Sequence, residues 1–182
     1  YGKLYHNPFD EGVEYPKSSD EEMVYLTPDE VTRMMKTECR LPLVKDAFMF
    51  MIFTGIRSQD CKSLIWRNLP IIDSVVNIQV KTQKRKTDVF FPIPPQANNY
   101  LPKRMGDDDL VFPNYKTESY HNEALREWAL KSDVKKHIVP HSARHSFSAY
   151  MLSKGTPLYT LSKLLGHTNA RTTEDRYGHL SK

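Results

Sequence analysis

Two short segments of the sequence combine arginine or histidine with a predicted helix start. In residues 54–60, Arg57 follows Gly55, which ends one helix, and precedes the start of another. Backbone amides and a guanidinium then point to one place, as a phosphate site requires. In the segment HSARH, His141 and Arg144 are three residues apart and share one face of a helix. One of them can donate a proton while the other holds an anion.

Two further segments place a histidine and a tyrosine next to glycines. His167 directly follows Gly166 at a predicted helix end, which holds the imidazole at a fixed angle. Tyr177 precedes Gly178 near the end of a short helix, where a tyrosine can be either core or nucleophile. A tyrosine hydroxyl has a reference pKa of about 10. It therefore needs positive surroundings or a base, and His141 is the candidate helper.

Metal and cofactor sites are not indicated. His141 and His145 are four residues apart but lack the glutamate of an H-E-x-x-H helix. Cys39 and Cys61 lack C-x-x-C spacing, which favours two reduced thiols in a cytosolic protein. No Walker loop is present. We therefore expect no metal and no cofactor.

The charge distribution favours an anionic partner. The formal net charge is +4, yet residues 1–30 hold eight acidic and two basic side chains. The remaining residues carry 24 basic against 14 acidic side chains, a balance suited to a polyanion such as nucleic acid. No apolar run approaches the roughly 20 residues that a membrane helix needs. The first residues also lack the pattern of a secretion signal.

The elements that must position these residues are mostly helical. Residues 1–26 read as a linker, and a helix begins where Thr27 can cap, Pro28 can open and Glu30 can complete a capping box. Further helices are predicted at 42–54, 58–66, 95–101, 118–131, 141–154, 157–165 and 172–178. Strands at 75–80 and 89–93 form a hairpin with a cationic tip. The expected fold class is mainly α with a small antiparallel β-sheet (α+β).

The order of the four segments resembles the tyrosine recombinase family, also called phage integrases. The resemblance spans residues 27–182, which it identifies as a catalytic domain following a linker at 1–26. In that family two arginines and a histidine bind the scissile phosphate, and a tyrosine attacks it. The matching residues here are Arg57, His141, Arg144, His167 and Tyr177. Asp60 sits where the family often has a supporting carboxylate.

The catalytic lysine that the resemblance implies has alternative assignments on the hairpin. Counting forward from Leu64 selects Lys81, and counting back from Phe91 selects Lys84. Lys81 is preferred because it should lie at a strand end, with Lys84 in reserve and Lys86 less favoured. Lys81 would then protonate the leaving 5′-oxygen. The other hairpin cations, Lys84, Arg85 and Lys86, would contact DNA phosphates.

The spacing of the last two site residues departs from the family. His167 and Tyr177 are ten residues apart, one more than the resemblance implies. A one-residue bulge in the intervening loop would absorb the difference. Otherwise Tyr177 would sit differently on its helix.

The resemblance implies a site-specific DNA recombinase, the integrase of a phage or mobile element. It would work through a 3′-phosphotyrosyl intermediate without ATP or metal. The expected partner is double-stranded DNA, bound by a homo-tetramer on two sites, while an isolated fragment can be monomeric. We expect a bacterial, cytoplasmic, DNA-associated protein with no membrane contact. Because Tyr1 is not a natural start, we expect a fragment of a longer protein, and the linker at 1–26 suggests a preceding DNA-binding domain. The alternatives are topoisomerase-like relaxation of DNA and a DNA-binding module without catalysis.

Overall fold

The structure is a computed structural model that describes residues 23–81, 88–116, 118–167 and 170–178. For residues 80, 81, 88, 89 and 170–172 it describes the backbone only. The three cations assigned above to DNA contact, Lys84, Arg85 and Lys86, lie outside the described residues.

The described chain is mainly helical with one three-stranded antiparallel sheet, which confirms the expected fold class. Its helices are α1 (Pro28–Lys36), α2 (Pro42–Thr54), α3 (Ser58–Lys62), α4 (Pro95–Asn98), α5 (Ser119–Lys131), α6 (Pro140–Ser153), α7 (Leu158–Leu164) and α8 (Ala170–Tyr177). Its strands are β1 (Ile71–Ile72), β2 (Val75–Lys81) and β3 (Asp88–Pro92). None of the described helices is long and apolar enough to cross a membrane.

Helix α2 forms the centre of the main core. Pro42 opens it, since a proline at the first helical position loses no internal hydrogen bond. Gly55 ends it in the left-handed conformation, with φ 69°, and its N–H donates to the Met51 carbonyl at 2.9 Å. Seven of its side chains are buried, and it packs against α4, α5 and α6. Burying each large apolar side chain contributes about 1.5–3 kcal/mol.

The sheet has one more strand than the sequence predicts. The β2–β3 pairing runs from Asn77 opposite Pro92 to Lys81 opposite Asp88, as the predicted hairpin requires. Strand β1 pairs with β2 through a tight turn, residues 73–74, in which both residues have positive φ. A two-residue exposed strand is too short to show an alternating pattern, so its own residues do not predict β1.

The helix predicted at 58–66 ends early because the backbone after it pairs elsewhere. The Leu64 carbonyl accepts from the Val111 N–H at 2.8 Å. The Trp66 N–H donates to the Asp109 carbonyl at 3.1 Å. A distant segment therefore holds these groups, and a helix continued to residue 66 would have to release them.

Helix α4 is also shorter than the predicted 95–101. The N–H groups of Tyr100 and Leu101 donate to the carbonyls of Ala97 and Asn98, at 3.1 and 3.2 Å. These are bonds between residues three apart, so the segment after Asn98 continues as a turn instead of an α-helix.

A second, smaller core holds α7 and α8 against α6. Its buried members are Leu152, Leu161, Leu165 and Tyr177. Phe147 of α6 packs against this cluster and also approaches Gly55 at the end of α2. The two cores therefore meet where α2 ends.

The segment just before α1 is attached to α6. The N–H of Leu26 donates to the Ser146 hydroxyl at 2.9 Å, and the Leu26 side chain is buried. Thr27 and Glu30 form the predicted capping box at the start of α1. The last residue of the predicted linker, Leu26, thus packs against the helices that follow it.

We expect Gly55→Ala to destabilise the protein more than Gly155→Ala. Both glycines have positive φ, which costs about 1–2 kcal/mol for a residue with a Cβ. A Cβ at Gly55 would lie 2.4 Å from the Phe147 ring, whereas one at Gly155 meets nothing within 4 Å. Overpacking should add about 1–3 kcal/mol at Gly55 only. Urea unfolding of the two variants measures the difference, and equal losses would contradict the crowding at Phe147.

Candidate active site

Arg144 lies at the junction of three helices. It projects from α6 and is 4% exposed. Nη1 donates to the Gly55 carbonyl at 2.9 Å, and Nη2 donates to the Leu165 carbonyl at 2.7 Å. Both carbonyls lie just past helix ends, where such groups lack partners within their own helix. One guanidinium thus joins the ends of α2 and α7 to the second turn of α6.

The charge of Arg144 is only partly balanced. Burial lowers its pKa to about 10, and repulsion from Arg57 contributes to the decrease. Its hydrogen-bond partners are two carbonyls and an imidazole, none of them an anion. A pKa reduced in this way means that the folded protein pays free energy to keep the charge. An anion bound beside Arg144 would recover part of that free energy, because it would favour the charged form.

Arg57 supplies the exposed half of the arginine pair. It is the N-cap residue of α3, two residues after the turn at Gly55. Its side chain is 44% exposed and lies 3.7 Å from the Asp60 carboxylate, one turn into α3. Such a loose, exposed pair contributes little to stability. The guanidinium is therefore available to a ligand, as the glycine–arginine spacing predicts.

An open groove gives a ligand access to both arginines. Its volume is about 1400 Å³, and Arg57, Arg144 and Gly166 are among its lining residues. It extends along the sheet, past Gln79 of β2 and Phe91 of β3. Its extent suits a long ligand better than a small molecule.

His167 is fixed by contacts on both ring nitrogens. Nε2 lies 3.0 Å from Nη2 of Arg144, and Nδ1 lies 2.8 Å from the Thr173 hydroxyl of α8. Arginine can only donate, so Nε2 accepts and the ring proton belongs on Nδ1, which donates to Thr173. Gly166, with φ 64°, turns the chain so that the imidazole reaches Arg144.

His167 is accordingly neutral in the resting site. Burial, together with the charges of Arg144, Arg57 and Arg176, lowers its pKa to about 4. To donate from Nε2 to a phosphate oxygen, His167 must gain a proton on Nε2, and its contact with the Arg144 N–H must then break. A bound phosphate would favour the proton, because its negative charge offsets the three arginines.

Tyr177 ends α8 and is buried, with 1% of its surface exposed. Its hydroxyl lies 3.0 Å from Nδ1 of His145. The His145 ring in turn makes an edge-on contact with His141, one turn earlier on α6, with ring centroids 4.5 Å apart. The structure therefore places His145, rather than the predicted helper His141, beside the hydroxyl. The i, i+4 spacing of the two histidines is the sequence signal for this pairing, although the same spacing also fits a metal pair.

For Lys81 the structure describes the backbone alone. Lys81 is the last residue of β2, opposite Asp88, which agrees with the expected strand end. Its catalytic assignment stays a prediction. The expected bulge between His167 and Tyr177 falls on residues 168–169, outside the described part of the chain. Tyr177 itself is carried on a regular helix.

Known proteins resemble this chain over most of its length. A model of the phage integrase family matches residues 24–182. A tyrosine recombinase of Thermosipho africanus (strain TCF52B) is 26% identical over 183 residues, which cover 94% of this chain and 62% of that protein. This chain thus spans less than two thirds of that relative.

Solved structures share the fold. The catalytic domain of bacteriophage HP1 integrase aligns with a TM-score of 0.65 and 22% identity, over 88% of this chain and 89% of that one. XerH site-specific recombinase, in a post-cleavage complex with palindromic difH substrate, aligns with a TM-score of 0.70 and 18% identity. That match covers 92% of this chain and 53% of the other. At these identities the structures demonstrate a common fold alone.

We expect the protein to lose stability as the pH falls from about 7 to about 5. The pKa values of His145 and His167 lie at about 4 in the folded chain, below the usual 6.5. The unfolded chain then binds protons first, so stability is full above pH 6.5 and falls towards pH 4.

Urea unfolding at several pH values measures this slope. His145→Phe removes one of the titrating groups and should flatten the slope. His137→Phe, at an exposed histidine, should leave it unchanged. An equally steep slope in His145→Phe would contradict the assignment.

We also expect sulfate to bind and stabilise the folded protein through Arg57 and Arg144. At ten times its dissociation constant, a bound anion adds about 1.4 kcal/mol to the free energy of unfolding. Arg57→Ala should lose most of this gain. Arg126→Ala, at an exposed arginine whose Nε bonds within its own helix, should retain it and corrects for the general salt effect. Equal sulfate responses in the two variants would argue against an anion site here.

Proposed function

The chain belongs to the phage integrase family, and on that basis we propose that it cuts and rejoins DNA in site-specific recombination. Tyr177 is the proposed nucleophile and a DNA phosphodiester the proposed target. The observation that supports this most is the direct contact of Arg144 with His167, beside the helix that carries Tyr177. Residues far apart in sequence thereby share one site.

The proposed binding step uses charge. The two arginines offer planar paired donors that stay ionised and match phosphate oxygens. The transition state spreads further negative charge over those oxygens, where Arg57, Arg144 and a protonated His167 would stabilise it. Removing one such donor should slow cleavage by about 10²–10³-fold, by analogy with oxyanion holes.

The proposed chemical step is a transesterification. The Tyr177 oxygen forms a bond to phosphorus, and the bond from phosphorus to the 5′-oxygen breaks. The phenolic proton must leave the contact of the Tyr177 hydroxyl with His145 to reach His141, the proposed base, whose ring contacts that of His145. Lys81 gives a proton to the leaving 5′-oxygen. The product is a 3′-phosphotyrosyl link that keeps the energy of the broken bond. A 5′-hydroxyl of another strand then reverses the attack, so neither ATP nor a metal is needed.

The proposed partner is double-stranded DNA. The groove beside the arginines and the excess of cations after residue 30 suit a polyanion. Lys84, Arg85 and Lys86 of the hairpin would contact phosphates, and four copies would act on two sites. The source element is proposed to be a phage or another mobile element.

Two other functions use the same residues differently. A topoisomerase-like enzyme would make the same covalent link and relax supercoils without exchanging partners. A DNA-binding module without catalysis would use the groove and the cations. Only the second leaves the Arg144–His167 contact and Tyr177 without a chemical task.

We predict that the chain forms a covalent adduct with DNA and that Tyr177→Phe abolishes it. The probe is a pool of random-sequence duplexes, each carrying a nick so that a cleaved strand end diffuses away. Adducts are captured under denaturing conditions and their DNA is sequenced. Tyr159→Phe, at an exposed tyrosine of α7, is the matched control and should react like the wild type. An adduct that survives Tyr177→Phe would overturn the assignment of the nucleophile.

The captured sequences then separate the two enzymatic functions. We expect strand exchange between two duplexes that carry the recovered site. Efficient relaxation of supercoiled plasmid with no exchanged product would favour the topoisomerase-like alternative. The absence of any adduct from the wild type would favour the non-catalytic module.

A further inference from the structure

The Tyr177 side chain is surrounded by apolar side chains, and its hydroxyl contacts a polar group, the imidazole of His145. The phenol is buried among Leu152, Leu161 and Leu165, which offer no hydrogen bond. Its hydroxyl is within hydrogen-bonding distance of His145 Nδ1, at 3.0 Å. A buried hydroxyl without a partner would be costly, so this contact determines where the oxygen rests.

His145 is placed to act on both sides of the site. It follows Arg144 directly on α6, and its ring contacts His141 on the same helix. On its other side, His145 faces Tyr177 of α8, with ring centroids 5.8 Å apart. The charge of Arg176, also on α8, lowers the pKa of His145. His145 thus connects the nucleophile to the helix that carries the phosphate-binding residues.

The charge state of His145 suits it to accepting a hydrogen bond. Burial lowers its pKa to about 4, and His141, Arg176 and Arg144 act in the same direction. At neutral pH the ring is therefore uncharged, with one nitrogen that donates and one that accepts. An imidazole that resists protonation so strongly is a poor store for the phenolic proton. It is well suited to orienting the oxygen that loses it.

We propose that His145 positions the nucleophile: its Nδ1 accepts a hydrogen bond from Tyr177 and aims the phenolic oxygen for attack. The role rests on the proposed function, since it concerns the same reaction. It adds a residue that works through Tyr177 and is distinct from the groups that hold the phosphate. The bond forms before DNA arrives, so the enzyme meets its substrate with the oxygen already oriented.

Two substitutions separate a hydrogen bond from packing. His145→Phe keeps a ring of similar shape but removes the polar atom. His145→Asn loses the ring, yet its side-chain oxygen can occupy the position of Nδ1 and accept the same bond. His137→Phe and His137→Asn, at an exposed histidine, are the controls.

The first measurement is the single-turnover rate of adduct formation at saturating protein, on a nicked duplex recovered by the covalent capture described above. His145→Phe should react about 10- to 100-fold more slowly, while its DNA affinity stays that of the wild type. His145→Asn should recover most of the rate. A positioning role is overturned if His145→Phe reacts as fast as the wild type or faster. It is also overturned if its DNA affinity falls in proportion, or if His145→Asn is no better than His145→Phe.

The second measurement needs no DNA. The NMR signal of the tyrosine Cζ carbon reports hydrogen bonding of the hydroxyl, and Tyr177→Phe identifies the signal of this residue. His145→Phe should shift it, His145→Asn should shift it less, and the His137 variants should leave it in place. An unchanged signal in His145→Phe would refute the bond itself. If the wild type forms no adduct although the signal responds as expected, the proposed function fails, and the positioning role falls with it while the bond stands.

Discussion

The structure depends on a single buried guanidinium that bonds to two helix ends. Arg144 donates to the carbonyls of Gly55 and Leu165, which belong to different parts of the domain. An apolar side chain at this position could fill the space but would leave both carbonyls without donors. Burying a charge is costly, and the lowered pKa of Arg144 reflects that cost. The arrangement gives up stability and in return holds a cation at a defined place.

The same charge determines the state of the neighbouring histidines. His167 and His145 lie within reach of Arg144 and Arg176, and their burial together with these charges keeps both rings neutral. A neutral His167 accepts from Arg144 instead of donating to a ligand. The site therefore combines arginines and neutral imidazole rings with one carboxylate, that of Asp60 beside Arg57. Binding a phosphate would change its protonation as well as fill it.

The two hydrophobic cores position different residues of the site. The main core around α2 supports the turn at Gly55 and therefore Arg57, while the smaller core of α6, α7 and α8 encloses Tyr177. Phe147 lies against Gly55 so closely that no Cβ fits between them. The relative position of arginine and tyrosine is thus set by contact between the cores.

Local rules were enough for much of this protein. Gly55 and Gly166 mark turns because they adopt positive φ, and the i, i+3 spacing of His141 and Arg144 predicts a shared face on α6. Long-range pairing was not readable in the same way. The early end of α3 and the partner of the Tyr177 hydroxyl both depend on backbone or side-chain groups distant in sequence. Strand β1 pairs locally, but its two residues are too few to show an alternating pattern. A spacing constrains residues on one helix, whereas contacts between helices require the packing that brings α8 against α6.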